Sequence, residues 1–388
     1  MLRAHKIKLD PNQKQLAYFA KASGVARHAY NWALAEWKAQ YEAGLKPNES
    51  ALRKQYNAIK PVEFPWALEV TKCAPQQAIK NAGTAFKNFF RRVKEGKKGS
   101  EVGYPQFKRK GVHDAFRADN GPPSKGIPAV QTDGKRIKLP IIGWVRMREE
   151  VRFSGCIQST TVSREGDGWY ISVVVETTEQ LESVASHGVV GVDLGLKALA
   201  TLSTGEVVTG PKPHRRLEAR LCRLNRSLSR KQKGSANWKK AKNKLSQLHK
   251  RIADLREDAT HQLSHQLATQ HDTIVLEDLN VKGMAANRHL ARSVSDSAMR
   301  SLRTKIEYKA AMTGARVVIA DRWLPSSKTC SGCGQHHPEM ILGVDTLRCD
   351  CGLVIDRDLN AAINLATYAA SSAVSACGEE GSGVASVA

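Results

Sequence analysis

Apolar and polar positions alternate from the start of the chain: His5, Ile7 and Leu9 interleave with Lys6 and Lys8, which predicts a strand over 2–9 with one wet, basic face. Asp10 and Pro11 then punctuate the pattern, Asp10 as a helix N-cap and Pro11 at the first helical position. Up to Gly44 the period lengthens, with Tyr18, Phe19, Val25, Tyr30, Trp32, Leu34 and Trp37 at mostly helical spacings. A further helix is predicted from Gln76 to Val93, burying Ile79, Phe86 and Phe90. Residues 11–104 thus read as a helical block, closing in the basic stretch Arg91, Arg92, Lys94, Lys97 and Lys98.

The pattern changes again over 105–183, where short runs are split by Gly, Pro and Asp-Gly, and Ile157 to Val162 and Trp169 to Val175 flank the turn REGDG. That predicts a β-rich module, a small barrel. The N-terminal strand has no partner inside the helical block, so it is expected to join this barrel, making the helices an insertion between residues 1–10 and 105–183.

A new domain opens near residue 184. VVGVDLGLKALATL, the turn STGE and EVVTG predict a strand pair whose first member ends at Asp193. Leu217, Leu221, Leu224 and Leu228, then Leu245, Leu248, Ile252 and Leu255, step by threes and fours on either side of KGSAN, which predicts a helical hairpin over 212–268 with a heptad-like seam. The strand TIVLEDLN delivers Glu277, a helix is expected near 295–313, and the strand ARVVIADR follows. A cysteine-bearing insertion at 323–354 precedes DRDLNAAINLATYAA, a helix with Asp358 at its start that completes the domain over 355–370. The small, polar, Gly-rich tail 371–388 is expected to be disordered.

Composition narrows the function. Sixty Lys and Arg against 37 Asp and Glu leave +23 over 388 residues, so the chain should bind a polyanion. A membrane surface is the competing polyanion. However, the mean hydropathy is −0.41, no apolar run approaches a spanning length, and MLRAHKIKLDPNQK has no apolar signal core. A cytoplasmic protein, nucleoid-associated when bound to DNA, is therefore expected. The one-signed Lys and Arg faces of the hairpin favour nucleic acid over mere solvation. Tyr30, Trp32 and Trp37 lie beside Arg27, His28 and Lys38 and could stack on bases, but their helical spacing favours core packing.

Three carboxylates, Asp193, Glu277 and Asp358, each follow an apolar strand or open a helix. An RNase H-like core needs this arrangement, because two divalent cations about 3.5–4 Å apart must be held by few protein ligands together with the scissile phosphate. Mg²⁺ keeps open positions for substrate oxygens. Neighbouring acids compete for the roles: Asp278 adjoins Glu277, and Asp356 precedes Asp358 by two positions. Strand alternation lets only one of Glu277 and Asp278 face the site, and Glu277, directly after IVL, is the choice. Cys330, Cys333, Cys349 and Cys351 cluster with 15 residues between Cys333 and Cys349, which suits a structural zinc site with no open position. The second pair is one residue short of C-x-x-C, so His336 or His337 could replace one sulfur.

Taken together, GVDLG, LEDLN, SSKTCSGCG, RCDCG and DRDLNAAIN resemble the transposon-encoded TnpB proteins, RNA-guided relatives of the type V CRISPR effector nucleases. YPQFKRKG and DPNQKQ are similar to weaker N-terminal signatures of that family. The resemblance implies an α/β multidomain protein: a RuvC-like nuclease domain (RNase H-like) with a zinc-ribbon-like insertion, plus an N-terminal β-barrel wedge domain carrying a helical recognition insertion. It also implies a RuvC-like triad at Asp193, Glu277 and Asp358 with two Mg²⁺ ions, a guide RNA from the transposon right end, and cleavage of double-stranded DNA beside a short motif. A non-cleaving, guide-dependent repressor and an RNA-independent transposase are the competing readings. The first would lack a triad acid, and none is missing; the second would need no RNA.

Overall fold

Strand β1 (Leu2–Asp10) keeps strict alternation, burying Arg3, His5, Ile7 and Leu9 and exposing the residues between them. It belongs to the first of two units, Met1–Glu179 and Gln180–Ala388, in a computed structural model that describes residues 1–120, 128–166, 168–178, 188–340 and 343–378. The helix after β1 starts later than Asp10-Pro11 suggested. Asp10 is the last residue of the strand, and Asn12 is the N-cap. Asn12 Oδ1 accepts from Gln15 N–H, and Gln15 Oε1 accepts from Asn12 N–H, both at 3.0 Å. This reciprocal capping box satisfies two orphan donors and outweighs the helix-start preference of Pro11. Helices α1 (Gln13–Glu42), α2 (Glu49–Glu63) and α3 (Cys73–Lys94) follow. Ile79 and Phe86 are buried as expected, but Phe90 is 46% exposed, near the end of α3, where its ring pairs with Phe86 and Phe89. Tyr30 and Trp37 are core residues, Trp37 stacking on Phe86 with centroids 4.5 Å apart.

Six strands complete this unit: β2 (Ala115–Asp119), β3 (Gln131–Asp133), β4 (Arg136–Leu139), β5 (Gly143–Met147), β6 (Cys156–Glu165) and β7 (Gly168–Glu176). Their sheet has the order β2-β6-β7-β1-β5-β4-β3. β1 pairs antiparallel with β7 from Leu2↔Glu176 to Lys8↔Tyr170, then with β5 at Leu9↔Met147. The three helices are therefore inserted between β1 and its partners. They share one core with the sheet, where Phe19 of α1 lies 5.8 Å from Phe116 and 5.3 Å from Trp169. Asn120, just after edge strand β2, exchanges hydrogen bonds with Val130, just before the other edge strand β3.

The second unit is a five-stranded sheet of order β10-β9-β8-β11-β12, with β8, β11 and β12 parallel. Its strands are β8 (Val189–Asp193), β9 (Ala200–Leu202), β10 (Val207–Val208), β11 (Thr273–Glu277) and β12 (Arg316–Ala320), one more in the opening meander than the strand pair expected. Helices α4 (Pro213–Ser229) and α5 (Ala236–Gln270) form the hairpin, with Leu221, Leu248 and Ile252 buried in its seam. The helix expected near 295–313 is divided by Ala298 at φ +50° into α7 (Ala291–Ser297) and α8 (Met299–Thr313), with α6 (Val281–Ala286) ahead of them.

Alternation along the strands fixes the two faces of this sheet. Val190, Val192, Ile274 and Leu276 pack on Leu263 and Leu267 of α5 and on Leu302 and Ile306 of α8. Val275 and Ala320 face the other way, onto Leu365 and Ala369 of α9 (Arg357–Gly378). A short hairpin, β13 (Thr346–Arg348) and β14 (Val354–Asp356), precedes α9. The tail expected to be disordered from 371 is helical through Gly378 as a continuation of α9; residues 379–388 lie outside the described residues. Among the described residues no helix is long and apolar enough to cross a membrane.

Candidate functional site

Asp193 and Glu277 are the last residues of β8 and β11, neighbouring parallel strands in the register Leu276↔Val192. The two carboxylates therefore emerge at the same edge of the sheet. They also share a face, because Asp193 follows Gly191 by two residues and Glu277 follows Val275 by two, and both of those positions face α9. Gly191 sets how closely that helix approaches. A Cβ at 191 would lie 1.9 Å from the Ala362 carbonyl oxygen and 2.6 Å from the Ala366 nitrogen, so only glycine lets the α9 backbone rest on β8. Asp358 lies one turn ahead of Ala362, in the first turn of α9, and is thereby carried toward the strand ends.

The electrostatics reflect this convergence. Burial, and then the facing carboxylates of Glu277 and Asp358, push the Asp193 carboxyl up to about 8, opposed by Arg357. Divalent cations are the partners that reverse such a penalty, and an all-oxygen donor set with few protein ligands fits Mg²⁺. Ser326 Oγ donates to Glu277 Oε1 at 2.5 Å, and Arg357 Nη2 donates to Asp358 Oδ1 at 3.1 Å.

The competing acids are engaged elsewhere. Asp278 turns to the opposite side of β11, where Arg303 of α8 and Arg322 bind it; the hydrogen bonds from Arg303 and Arg322 hold its carboxyl below the usual carboxylate range. Asp356 caps α9, its Oδ1 accepting from the backbone N–H groups of Asp358 and Leu359 at 2.9 and 3.0 Å.

The four cysteine sulfurs lie within 4.8 Å of one another. Cys330 and Cys351 are 3.7 Å apart and Cys333 and Cys349 are 3.5 Å apart, close to the roughly 3.8 Å edge of a tetrahedron with Zn–S bonds of about 2.3 Å. Each knuckle is closed by a left-handed glycine. Gly334, at φ +78°, donates to the Cys330 carbonyl, and Gly352, at φ +90°, donates to that of Cys349, both at 2.9 Å. The tighter Cys349–Gly352 turn compensates for the missing residue of the second knuckle. Among the described residues the cluster consists of the four cysteines alone; His337 Nδ1 faces Glu339 at 3.2 Å, and His336 pairs with Thr329 through its backbone. The cluster can hold a zinc ion.

A connection absent from the sequence reading ties the two centres together. Asn360 and Asn364, one turn apart on α9, both donate to the carbonyls of Ser326 and Thr329, and Asn360 Oδ1 accepts from Ser331 N–H at 2.8 Å. One helix thus carries Asp358, holds the loop that supplies Ser326 to Glu277, and anchors the first knuckle. The two asparagines of DLNAAIN, spaced by four, were the available signal.

Family models agree with this layout. Residues 172–288 match one described as "Probable transposase" and residues 300–365 one described as "Cas12f1-like, TNB domain". Residues 1–46 match a "Helix-turn-helix domain", although the structure there is one strand and a single 30-residue helix. A Streptomyces pristinaespiralis protein named "Putative RNA-guided DNA endonuclease" is 38% identical, over 97% of this chain and 91% of its own length. The Escherichia coli K12 protein InsQ, with the same description, is 33% identical over 97% and 94%. In fold, the chain is similar to one in a cryo-EM structure of a Cas12f1–sgRNA–target DNA complex, with a TM-score of 0.58 at 14% identity over 92% of this chain and 83% of that one.

Proposed function

The chain belongs to the transposon-encoded TnpB family, and on that premise we propose that it is an RNA-guided endonuclease cutting double-stranded DNA beside a short motif by two-metal-ion phosphodiester hydrolysis. The observation that carries this reading is the convergence of Asp193, Glu277 and Asp358 on the α9 face of one sheet edge. Asp193 would hold both Mg²⁺ ions, with Glu277 and Asp358 completing the protein ligands. When bound, the cations supply activation of the attacking water and stabilisation of the leaving oxygen. The chain's own contribution is positioning: Ser326 orients Glu277, Arg357 holds Asp358, and the Arg303–Asp278 pair keeps the neighbouring acid out of the site. Cys330, Cys333, Cys349 and Cys351 hold a structural zinc that fixes the loop under α9.

Specificity would be delegated to a guide RNA from the transposon right end. The +23 charge serves backbone contacts to the guide–target heteroduplex, while base pairing reads the sequence. The seven-stranded sheet would act as the wedge barrel and α1 to α3 as the recognition insertion, in a protein working in the cytoplasm. Asp193→Ala should reduce Mg²⁺-dependent cleavage by the guide-loaded protein about 10³-fold or more while target binding stays within about twofold. Undiminished cutting would overturn the reading, and cutting that survives ribonuclease treatment would favour an RNA-independent transposase.

A further inference from the structure

The loop 194–199, directly after Asp193, is shared between two places. Lys197 pairs with Asp345, whose carbonyl accepts from Arg357 N–H at 2.8 Å, so one side of the loop reaches the start of α9 beside Asp358. On its other side Leu196 and Leu199 wall a cavity of about 470 Å³ closed by Lys212 and Arg215 of the α4 start and by Arg288 and Ser293. The cavity is therefore one loop away from the carboxylates.

Its charges are unequal in availability. Asp296 is buried, and its two carboxylate oxygens accept from the backbone N–H groups of His214 and Arg215 at 3.0 and 3.1 Å; the start of α4 thus neutralises it. Glu218 is bound to Arg292 at 2.5 Å. Lys212, Arg215 and Arg288 have no side-chain partner among the described residues. Lys212 also sits at φ +39°, and Ala298, next to the cavity, at φ +50°; non-glycine residues in the left-handed region concentrate at functional sites. A cavity of this size with an apolar wall and three free cations suits one nucleotide, its base on the leucines and its phosphates on the cations, and not a duplex.

We propose that this cavity is a subsite for a single-stranded DNA segment, holding a nucleotide of the strand presented to Asp193, Glu277 and Asp358. The choice of DNA rests on the nuclease reading. The existence of a single-strand subsite does not.

The test compares Lys212→Gln/Arg215→Gln/Arg288→Gln with the control Lys135→Gln/Arg316→Gln/Arg348→Gln, exposed cations outside both the cavity and the α4–α5 hairpin, each in the full-length protein purified with its RNA. Affinity for a non-complementary, fluorescein-labelled DNA oligonucleotide is measured across a salt series. Loss of contacts to the two phosphates that flank one nucleotide, at about 0.7 each, should flatten the log–log slope by about 1.4, whereas the control should leave it nearly unchanged. Ser293→Tyr, which fills the cavity without altering charge, should weaken oligonucleotide binding about tenfold at an unchanged slope. In a cleavage assay the cavity triple should cut about 10- to 100-fold more slowly with guide affinity unchanged. Equal slopes for the two triples, or wild-type binding by Ser293→Tyr, would overturn the subsite. A wild-type protein that cuts nothing would instead overturn the nuclease reading, and the slope would still decide the subsite.

Discussion

The two candidate metal centres of the second unit are assembled in opposite ways. The sulfur cluster is local, with two short turns, each closed by its own glycine, bringing four thiols within 4.8 Å. The carboxylate cluster is global: its members come from two strand ends and a helix start, and strand register and the closeness of α9 bring them together. A locally built centre fails when its own ligands change. A centre built by the fold can also be lost through residues that are not ligands.

Gly191 is the sharpest way to break that contrast. In Gly191→Ala the new methyl meets the Ala362 carbonyl oxygen and the Ala366 nitrogen, both backbone atoms, so α9 has to move. Overpacking of this kind costs about 3 kcal/mol, and a shift of about 1 Å in Asp358 would cost about 100-fold in rate. We expect Gly191→Ala to lose cleavage by about that factor while still binding one zinc per chain. Rate and zinc content measured on the same preparation check it, and cutting at the wild-type rate would mean that α9 does not set the position of Asp358.

This asymmetry also explains what could be read from the chain. Four cysteines at short spacings announce their site, because the turns that unite them are written in the same few residues. An acid after an apolar run announces a strand end, which is how Asp193 and Glu277 stood out. The place of Glu277 directly after IVL favours it over Asp278, but the face of the strand that sets them apart follows from Val275 lying on Leu365, a long-range contact. In the sequence Gly191 is part of a motif and its packing constraint does not show, and the Asn360–Asn364 clamp reaches Thr329, 31 and 35 residues away along the chain. Asp10 and Phe90 misled for a related reason: local propensity placed a cap at Asp10 and a core residue at Phe90, whereas the capping box of Asn12 and the place of Phe90 near the end of α3 decided otherwise.

Cys330→Ser tests the local centre and its reach. Metal binding is coupled to folding of the segment that holds it, so this variant should lose most of its zinc and about 2–4 kcal/mol of stability around 326–356. The carboxylate centre should feel this only through Ser326 and the Asn360–Asn364 clamp, a supporting role of the kind that costs about 10-fold in activity. Zinc analysis and hydrogen exchange over that segment measure the effect. Full zinc stoichiometry would remove Cys330 from the ligand set, and an unchanged exchange pattern would mean that the cluster supports nothing beyond itself.

The smallest effect comes from comparing Asp193 with a buried cation of the same unit, Lys309 on α8. Burial, and then the nearby Lys305, push its ammonium down to about 8, even though it donates to the His261 carbonyl at 2.6 Å. Asp193 has a chemistry that cations can complete; among the described residues Lys309 has no ion-pair partner, so its buried charge only costs stability. Its folded value lies below the ordinary 10.5, so between about 8 and 10.5 the unfolded chain binds the extra proton and stability rises with pH. Below about 8 the full penalty is present. Lys309→Met should therefore stabilise the unit at pH 7 by about 1–2 kcal/mol, after discounting for the water that reaches the ammonium. The gain should shrink as pH rises through 8 toward 10.5. Denaturant unfolding of both proteins at pH 7, 9 and 10.5 measures it, and a gain independent of pH would assign the effect to packing of the methionine and not to the buried charge.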